Sequence, residues 1–321
     1  MIGEKIAKTG KETASAANGR ARKAKGRPGG MIGKSTCNGA LKIAVPNKGR
    51  LKMPALDLLE KCQIKVEIAE DERRLWAETS DPQACVVFAR AEDIPDIVAS
   101  GAADCGITGL DLVVEKKANA KVLQNLGFGR CKIAIAGPKG SKLAMLSGSR
   151  IATKTPNLLE TYLKRKGIRA KTVMIKGATE LSPMLGISEF ICDHVSTGST
   201  LAANALFEID TVFESEACFV SAPRLQKEKK TLVESLASLI SGTLAAGGRK
   251  YLMMNVDERD LKRLASSIPS AKSPTVLQLA KKGQFAVHTV VPALGLAGLI
   301  RRLKELGARD ILVLGINQVI A

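Results

Sequence analysis

One stretch constrains this chain more than any other: Phe190-Ile191-Cys192-Asp193-His194-Val195-Ser196-Thr197-Gly198-Ser199-Thr200-Leu201. A short apolar run reaching an acid reads as a buried strand that ends near Asp193. The Ser/Thr/Gly segment after it is a turn, and residues 201–206 open a helix. Strand, glycine turn and helix start bring unpaired backbone N–H groups to one point, which is an anion site. Asp193 adds something phosphate binding does not require, a carboxylate able to accept hydrogen bonds from two sugar hydroxyls. The pattern fits a ribose 5-phosphate. It equally fits an ordinary capped helix behind a buried strand.

The segments before and after repeat the alternation. Residues 41–46 form a strand, and Asn47-Lys48-Gly49-Arg50 is a basic turn into a helix ending near Cys62. Such a turn suits phosphate, or is simply solvated loop charge. A charged loop with the single Trp, Trp76, precedes a strand over 85–89 that ends in Arg90. Helix 92–100, strand 103–109 and helix 110–115 follow, and a second block begins at Cys131. In that block Glu180 falls in the first turn of a short helix, where an acid also favours the helix dipole. Alternation at these intervals predicts mostly parallel α/β sheets in two lobes, with a cleft between them.

Gly247-Gly248 breaks the chain after one long amphipathic helix, 227–246. Beyond it the pattern is βαββαβ in about seventy residues, the ferredoxin-like arrangement. The expected fold is therefore α/β, a two-lobed body with a C-terminal ferredoxin-like module. The expected domains are a disordered basic tail over 1–40, a two-lobed body over 41–247 and the module over 248–321. Within the body, lobe I takes about 41–134 and 216–247, and lobe II about 135–215.

Charge limits the partners. The formal net charge is +18 over 321 residues. Nine Lys/Arg against two Glu place +7 of this in residues 1–40, leaving +11 for the rest. An excess spread over a folded body suits anionic small substrates. Aromatic residues are 3% of the chain, too few for base-stacking surfaces, so nucleic acid is expected as a partner only through the basic tail. Met1-Ile2-Gly3 recurs as Met31-Ile32-Gly33, which makes Met31 a candidate start. No apolar signal core and no run of ~20 apolar residues occur, so neither secretion nor a membrane span is expected. Seven cysteines without CxxC spacing read as reduced core residues of a cytoplasmic protein, the alternative being an organellar presequence over 1–30.

The order of motifs resembles the long-form ATP phosphoribosyltransferases, over essentially all of residues 41–321. The matching segments are 46–51, 90–95, 101–111, 126–129, 151–155, 177–183, 193–201, 250–254, 273–275 and 306–314. The resemblance implies a two-lobed, periplasmic-binding-protein-like catalytic body with a regulatory C-terminal module. It also implies the reaction opening histidine biosynthesis, in which ATP attacks phosphoribosyl pyrophosphate with Mg²⁺ on the leaving pyrophosphate. Histidine would be the feedback inhibitor, and the assembly a homo-oligomer, dimer to hexamer.

By the same resemblance Asp193 holds the ribose hydroxyls, while Thr197, Gly198, Ser199 and Thr200 cradle the 5-phosphate. Glu180 serves ribose or metal contacts. Lys48, Gly49, Arg50 and Arg90 face the pyrophosphate, and Arg73 or Arg74 the ATP phosphates. Ser273, Thr275 and Asp257 meet the effector. Two positions depart from the family pattern: His194 where Leu is usual, and Ser199 where Thr, Ala or Arg is common. His194 is expected to be a satisfied packing residue rather than a proton carrier. The competing reading is a two-lobed receptor for a small anion or amino acid, without catalysis.

Overall fold

The computed structural model describes residues 37, 39–67, 75–195, 198–269 and 273–319. Arg73, Arg74 and Thr197, and almost all of the tail, lie outside the described residues. In chain order the first lobe has β1 (Leu41–Pro46), α1 (Lys52–Lys61), β2 (Trp76–Glu78), β3 (Ala84–Ala89), α2 (Ile94–Ala99), β4 (Cys105–Gly109), α3 (Leu110–Lys116) and β5 (Lys121–Asn125). The second has β6 (Cys131–Pro138), β7 (Arg150–Thr153), α4 (Pro156–Lys166), β8 (Lys171–Met174), β9 (Phe190–Val195), α5 (Ser199–Ala203) and β10 (Leu206–Ser215). The chain then returns to the first lobe through β11 (Ala217–Ser221) and α6 (Lys227–Ala246).

The sheets have strand orders β2-β3-β1-β4-β11-β5 and β10-β6-β9-β7-β8. Both are mixed, which corrects the expectation of mostly parallel sheets. β1 runs parallel to β3 and β4, and β7 parallel to β8 and β9. The strands next to each crossover, β11 and β6, pair antiparallel on both sides. The expectation fails because the chain changes lobe twice, and each change delivers a strand without a helical crossover. Since β6 begins at Cys131, the second sheet starts ahead of residue 135. β5 was not legible because its residues are largely exposed, and the full length of β10 was not because it mixes buried and exposed positions without an apolar run.

Each sheet is buried by helices on its faces. Leu56, Leu59, Val233, Leu236 and Ile240 of α1 and α6 pack on Ile43, Val86, Ile107 and Phe219. Leu158, Leu159, Tyr162 and Leu163 of α4 pack on Ile133, Ile151 and Phe190. A fully buried side chain such as Phe219 contributes roughly 1.5–3 kcal/mol.

After α6 come β12 (Arg249–Asp257), α7 (Glu258–Ser266), β13 (Thr275–Gln278), β14 (Gln284–Pro292), α8 (Leu296–Glu305) and β15 (Arg309–Gly315). Their strand order, β13-β14-β12-β15, is all antiparallel and ferredoxin-like, as the pattern predicted. Leu252, Met254, Val287, Leu264 and Leu303 form its core. No helix of the described residues is long and apolar enough to cross a membrane.

Cys37 and Cys85 are joined by a disulfide, Cα to Cα 5.9 Å, whereas all seven cysteines were expected to be reduced. Residues 41–46 run beside β3 and carry Cys37 onto Cys85, a proximity that sequence spacing does not show. The other five are free and buried.

Candidate active site

The second sheet builds the site at its carboxyl edge. Phe190, Ile191 and Cys192 are buried under helices, which fixes β9 and presents the next residue, Asp193, at the rim. β7 is parallel to β9 with Thr153 opposite Cys192, so Lys154 emerges beside Asp193. Its Nζ donates to Asp193 Oδ2 at 3.0 Å. Gly198, at φ +77°, turns the chain into α5, a left-handed conformation that favours glycine. Glu180, Asp193, Gly198, Ser199 and Thr200 line one cavity of about 150 Å³. α5 is five residues long and gives way to β10 at Leu206, a shorter helix than expected, so its dipole is small and the loop amides carry the anion chemistry.

Asp193 is held on both oxygens. Oδ1 accepts the backbone N–H of His194 at 2.7 Å and faces the ring Nδ1 at 3.5 Å. Burial pushes its carboxyl up, but the His194 and Lys154 hydrogen bonds outweigh this and bring it down to about 2. The His194 ring also reaches Asp111 Oδ2 at 2.8 Å through Nε2. Asp111 is buried, and Ser215 Oγ donates to its other oxygen at 2.5 Å. The Asp111 bond, then the Asp193 one, raise His194 to about 9 against the opposing effect of burial. His194 is thus satisfied, as expected, but by two carboxylates rather than by packing alone. The residues missed from sequence are Asp111, Lys154 and His194. Asp111 and Lys154 each follow a strand end by one or two residues, a signal that becomes proximity through the parallel β7–β9 pairing for Lys154 and through the contact between lobes for Asp111.

The first sheet contributes cations less tightly held. Pro46 and Ala89 are paired at the ends of β1 and β3, so Lys48–Arg50 and Arg90 leave the same edge. Lys48 and Gly49 are exposed, Gly49 at φ +79°. Arg50 donates to the carbonyl of Arg130 at 3.2 Å and to Cys131 Sγ at 2.8 Å, which places it on the crossover between lobes. The Arg90 side chain is 62% exposed, with Glu92 at 3.4 Å. Neither Lys48 nor Arg90 lines the Asp193 cavity.

In the C-terminal module the three expected effector residues do not converge. Ser273 and Thr275 are exposed at the start of edge strand β13, where Thr275 lies opposite His288. Asp257 pairs in register with Gln284, four residues or about 13 Å further along β14 and on the opposite side of that strand. It is engaged there by Arg309 at 3.3 Å and Gln284 at 3.2 Å.

A hard divalent cation takes oxygen ligands and binds through one or two carboxylates plus substrate phosphates. The cavity's carboxylates and hydroxyls fit that chemistry. Among the described residues no hydrogen bond or ion pair engages the Glu180 carboxylate, whereas Asp193 is already shared. Enzymes that transfer phosphate-bearing groups generally use such a metal.

Fold and site define a two-lobed α/β protein with an acid-bearing, hydroxyl-rimmed cavity on its second sheet and an appended ferredoxin-like module. A family model described as ATP phosphoribosyltransferase matches residues 90–242, and one described as HisG, C-terminal domain, matches 246–318. The ATP phosphoribosyltransferase of Methanothermobacter thermautotrophicus is 40% identical over 285 residues, 87% of this chain and 99% of the relative. That of Natronomonas pharaonis is 41% identical over 283 residues, 87% of this chain and 100% of the relative. Among solved structures, a chain of the ATP phosphoribosyl transferase (HisG:HisZ) complex from Thermotoga maritima matches with TM-score 0.53 and 31% identity. The match covers 63% of this chain and 98% of that one. The chain belongs to the ATP phosphoribosyltransferase family, the pentosyltransferases of the first step of histidine biosynthesis. These relatives are transferases, which disfavours the receptor without catalysis.

Proposed function

We propose that this chain condenses ATP with phosphoribosyl pyrophosphate, giving phosphoribosyl-ATP and pyrophosphate, with the sugar phosphate seated in the Asp193 cavity. The observation that carries this reading is the convergence of Glu180, Asp193, Gly198, Ser199 and Thr200 on one small cavity at a sheet's carboxyl edge. In the reaction N1 of adenine attacks C1 of the ribose as pyrophosphate departs. Positive charge grows on the sugar and negative charge on the leaving group, so the protein's contribution is positioning and electrostatics. Asp193, ionised across the working pH range, accepts the two ribose hydroxyls. Backbone N–H groups of Gly198–Thr200 meet the 5-phosphate. Lys48, Arg50 and Arg90 answer the pyrophosphate from the first lobe. Glu180 is the carboxylate that would hold Mg²⁺, which when bound offsets the pyrophosphate charge.

The same reading extends to regulation, assembly and location. The C-terminal module binds free histidine near Ser273 and Thr275 and slows the enzyme without competing with ATP, in a homo-oligomer working in the cytoplasm. Support comes from a separate module core and exposed β-strand positions on an enzyme of that pathway. Two assays test the proposal. Incubation with ATP, phosphoribosyl pyrophosphate and Mg²⁺ should yield phosphoribosyl-ATP; no product means the reading is wrong. Millimolar histidine should inhibit the intact chain and inhibit Thr275→Ala less; inhibition purely competitive with ATP contradicts the regulatory part.

A further inference from the structure

The crossover region holds a connection between the lobes that runs directly to the cavity. Asp111 sits in the first turn of α3, its side chain 3% exposed. Ser215 Oγ donates to Asp111 Oδ1 and accepts the Asp111 backbone N–H at 3.0 Å. Gly109 keeps this arrangement open, because a Cβ there would lie 2.5 Å from Asp111 Oδ1. The remaining oxygen, Oδ2, is left to His194 Nε2. On the other side of the ring, Nδ1 faces Asp193 Oδ1. A neutral imidazole donates from one nitrogen, so a ring with carboxylates at both is served only as the imidazolium. Cys131 on β6 also faces this pair: its Sγ lies within 4.8 Å of ligand atoms of Asp111 and His194, and it already accepts from Arg50.

A second tie leaves the same face of α3. Glu115, one turn after Asp111, accepts the backbone N–H groups of Asn157 and Leu158 at 3.1 and 2.9 Å, capping α4 of the second lobe. One residue ahead of that helix's N-cap, Thr155, stands Lys154, the partner of Asp193 Oδ2. Both attachments of α3 therefore end on Asp193, one through His194 and one through the backbone that carries Lys154.

We infer that His194 is a positioning residue for the transfer: its imidazolium holds the Asp193 carboxylate in the orientation that receives the ribose and ties that orientation to the first lobe through Asp111. The inference rests on the reading of Asp193 as the ribose acceptor. Its pH dependence follows in sign. The ring is raised to about 9, so the bridge is complete at neutral pH and lost as pH rises through that value. Loss of the imidazolium leaves Asp193 Oδ1 with the backbone N–H of His194 but without the charged ring, which loosens the carboxylate and weakens sugar binding while ATP binding is unaffected.

The chain has two histidines, so ¹⁵N-imidazole NMR of the full-length protein resolves them, and His194→Gln assigns the signals. The His194 ring is expected to titrate near 9 and to move down in Asp111→Asn. In kinetics at pH 7.5, His194→Gln should raise KM for phosphoribosyl pyrophosphate roughly tenfold, with KM for ATP unchanged. The wild-type KM for the sugar should rise above pH 8 toward that of the variant, whose own profile stays flat over the same range. A His194 ring that titrates at its ordinary value, or a variant with wild-type sugar kinetics at every pH, overturns the inference. Asp193→Asn run alongside separates the two claims. Impaired Asp193→Asn with unimpaired His194→Gln removes the bridge alone, and unimpaired Asp193→Asn removes the ribose reading and the bridge's role with it. If His194→Gln fails to fold, the wild-type titration and pH profile decide.

Discussion

The two sheets of the body end in loops of opposite character. On the second sheet, Asp193 is fixed by Lys154, by its own neighbour's N–H and by an imidazolium, and its carboxyl lies at about 2. On the first, Lys48 and Arg90 are exposed, and Arg90 makes a surface pair with Glu92. The difference matches the two halves of the proposed reaction. A ribose must be oriented before bond breaking begins, and orientation requires a side chain whose own rotamer is locked. A departing pyrophosphate carries high charge spread over many oxygens, and long flexible cations follow it as it leaves. Rigid acceptor on one lobe, adaptable cations on the other: a cleft between two sheets allows both.

The comparison breaks first at Asp193. Asp193→Asn keeps the shape and removes the charge, and should lower kcat/KM for phosphoribosyl pyrophosphate by roughly 1.5–3 kcal/mol, about tenfold to more than a hundredfold. Near wild-type kinetics would place the ribose elsewhere. Arg90→Ala tests the adaptable side. It should depress turnover by about tenfold while changing stability by less than about 0.5 kcal/mol, because its ion pair is exposed. A raised KM for ATP with unchanged kcat would reassign Arg90 to the nucleotide.

Glu115→Ala sharpens the contrast from the direction of the fold. It strips the cap from α4 and should cost about 1 kcal/mol in urea unfolding, together with a rise in the sugar KM because Lys154 loosens. A stability loss with unchanged sugar KM would show that the α3 contact with α4 serves packing alone.

Much of this architecture was legible in advance. Periodicity placed α6 over 227–246 and the βαββαβ order of the module, since both carry continuous apolar patterning. The place of Asp193 near the end of β9, ahead of the Gly198 turn, was legible because an apolar run reaching an acid before a glycine turn reads as a strand end. The antiparallel crossover strands β6 and β11 were not, because strand direction is set by where the chain changes lobe. The partner of His194 was not legible for a related reason: Asp111 lies 83 residues away and meets it only across the lobes. The disulfide between Cys37 and Cys85 is a long-range fact of this kind too.

The smallest expected effect belongs to residues 1–30. Their sequence is rich in Ala, Gly, Ser and Lys/Arg and offers little apolar surface, so deleting them should leave kcat and Tm unchanged. A salt-dependent gel shift with DNA or RNA that the deletion abolishes would give the tail a role outside catalysis.

The most direct test is a crystal structure with phosphoribosyl pyrophosphate and Mg²⁺ bound. Both ribose hydroxyls are expected about 2.6–3.2 Å from the Asp193 carboxylate, with the 5-phosphate against the backbone of residues 198–200. Density for the ribose on the Lys48–Arg50 loop, with Asp193 still engaged only by Lys154 and His194, would contradict the ribose assignment.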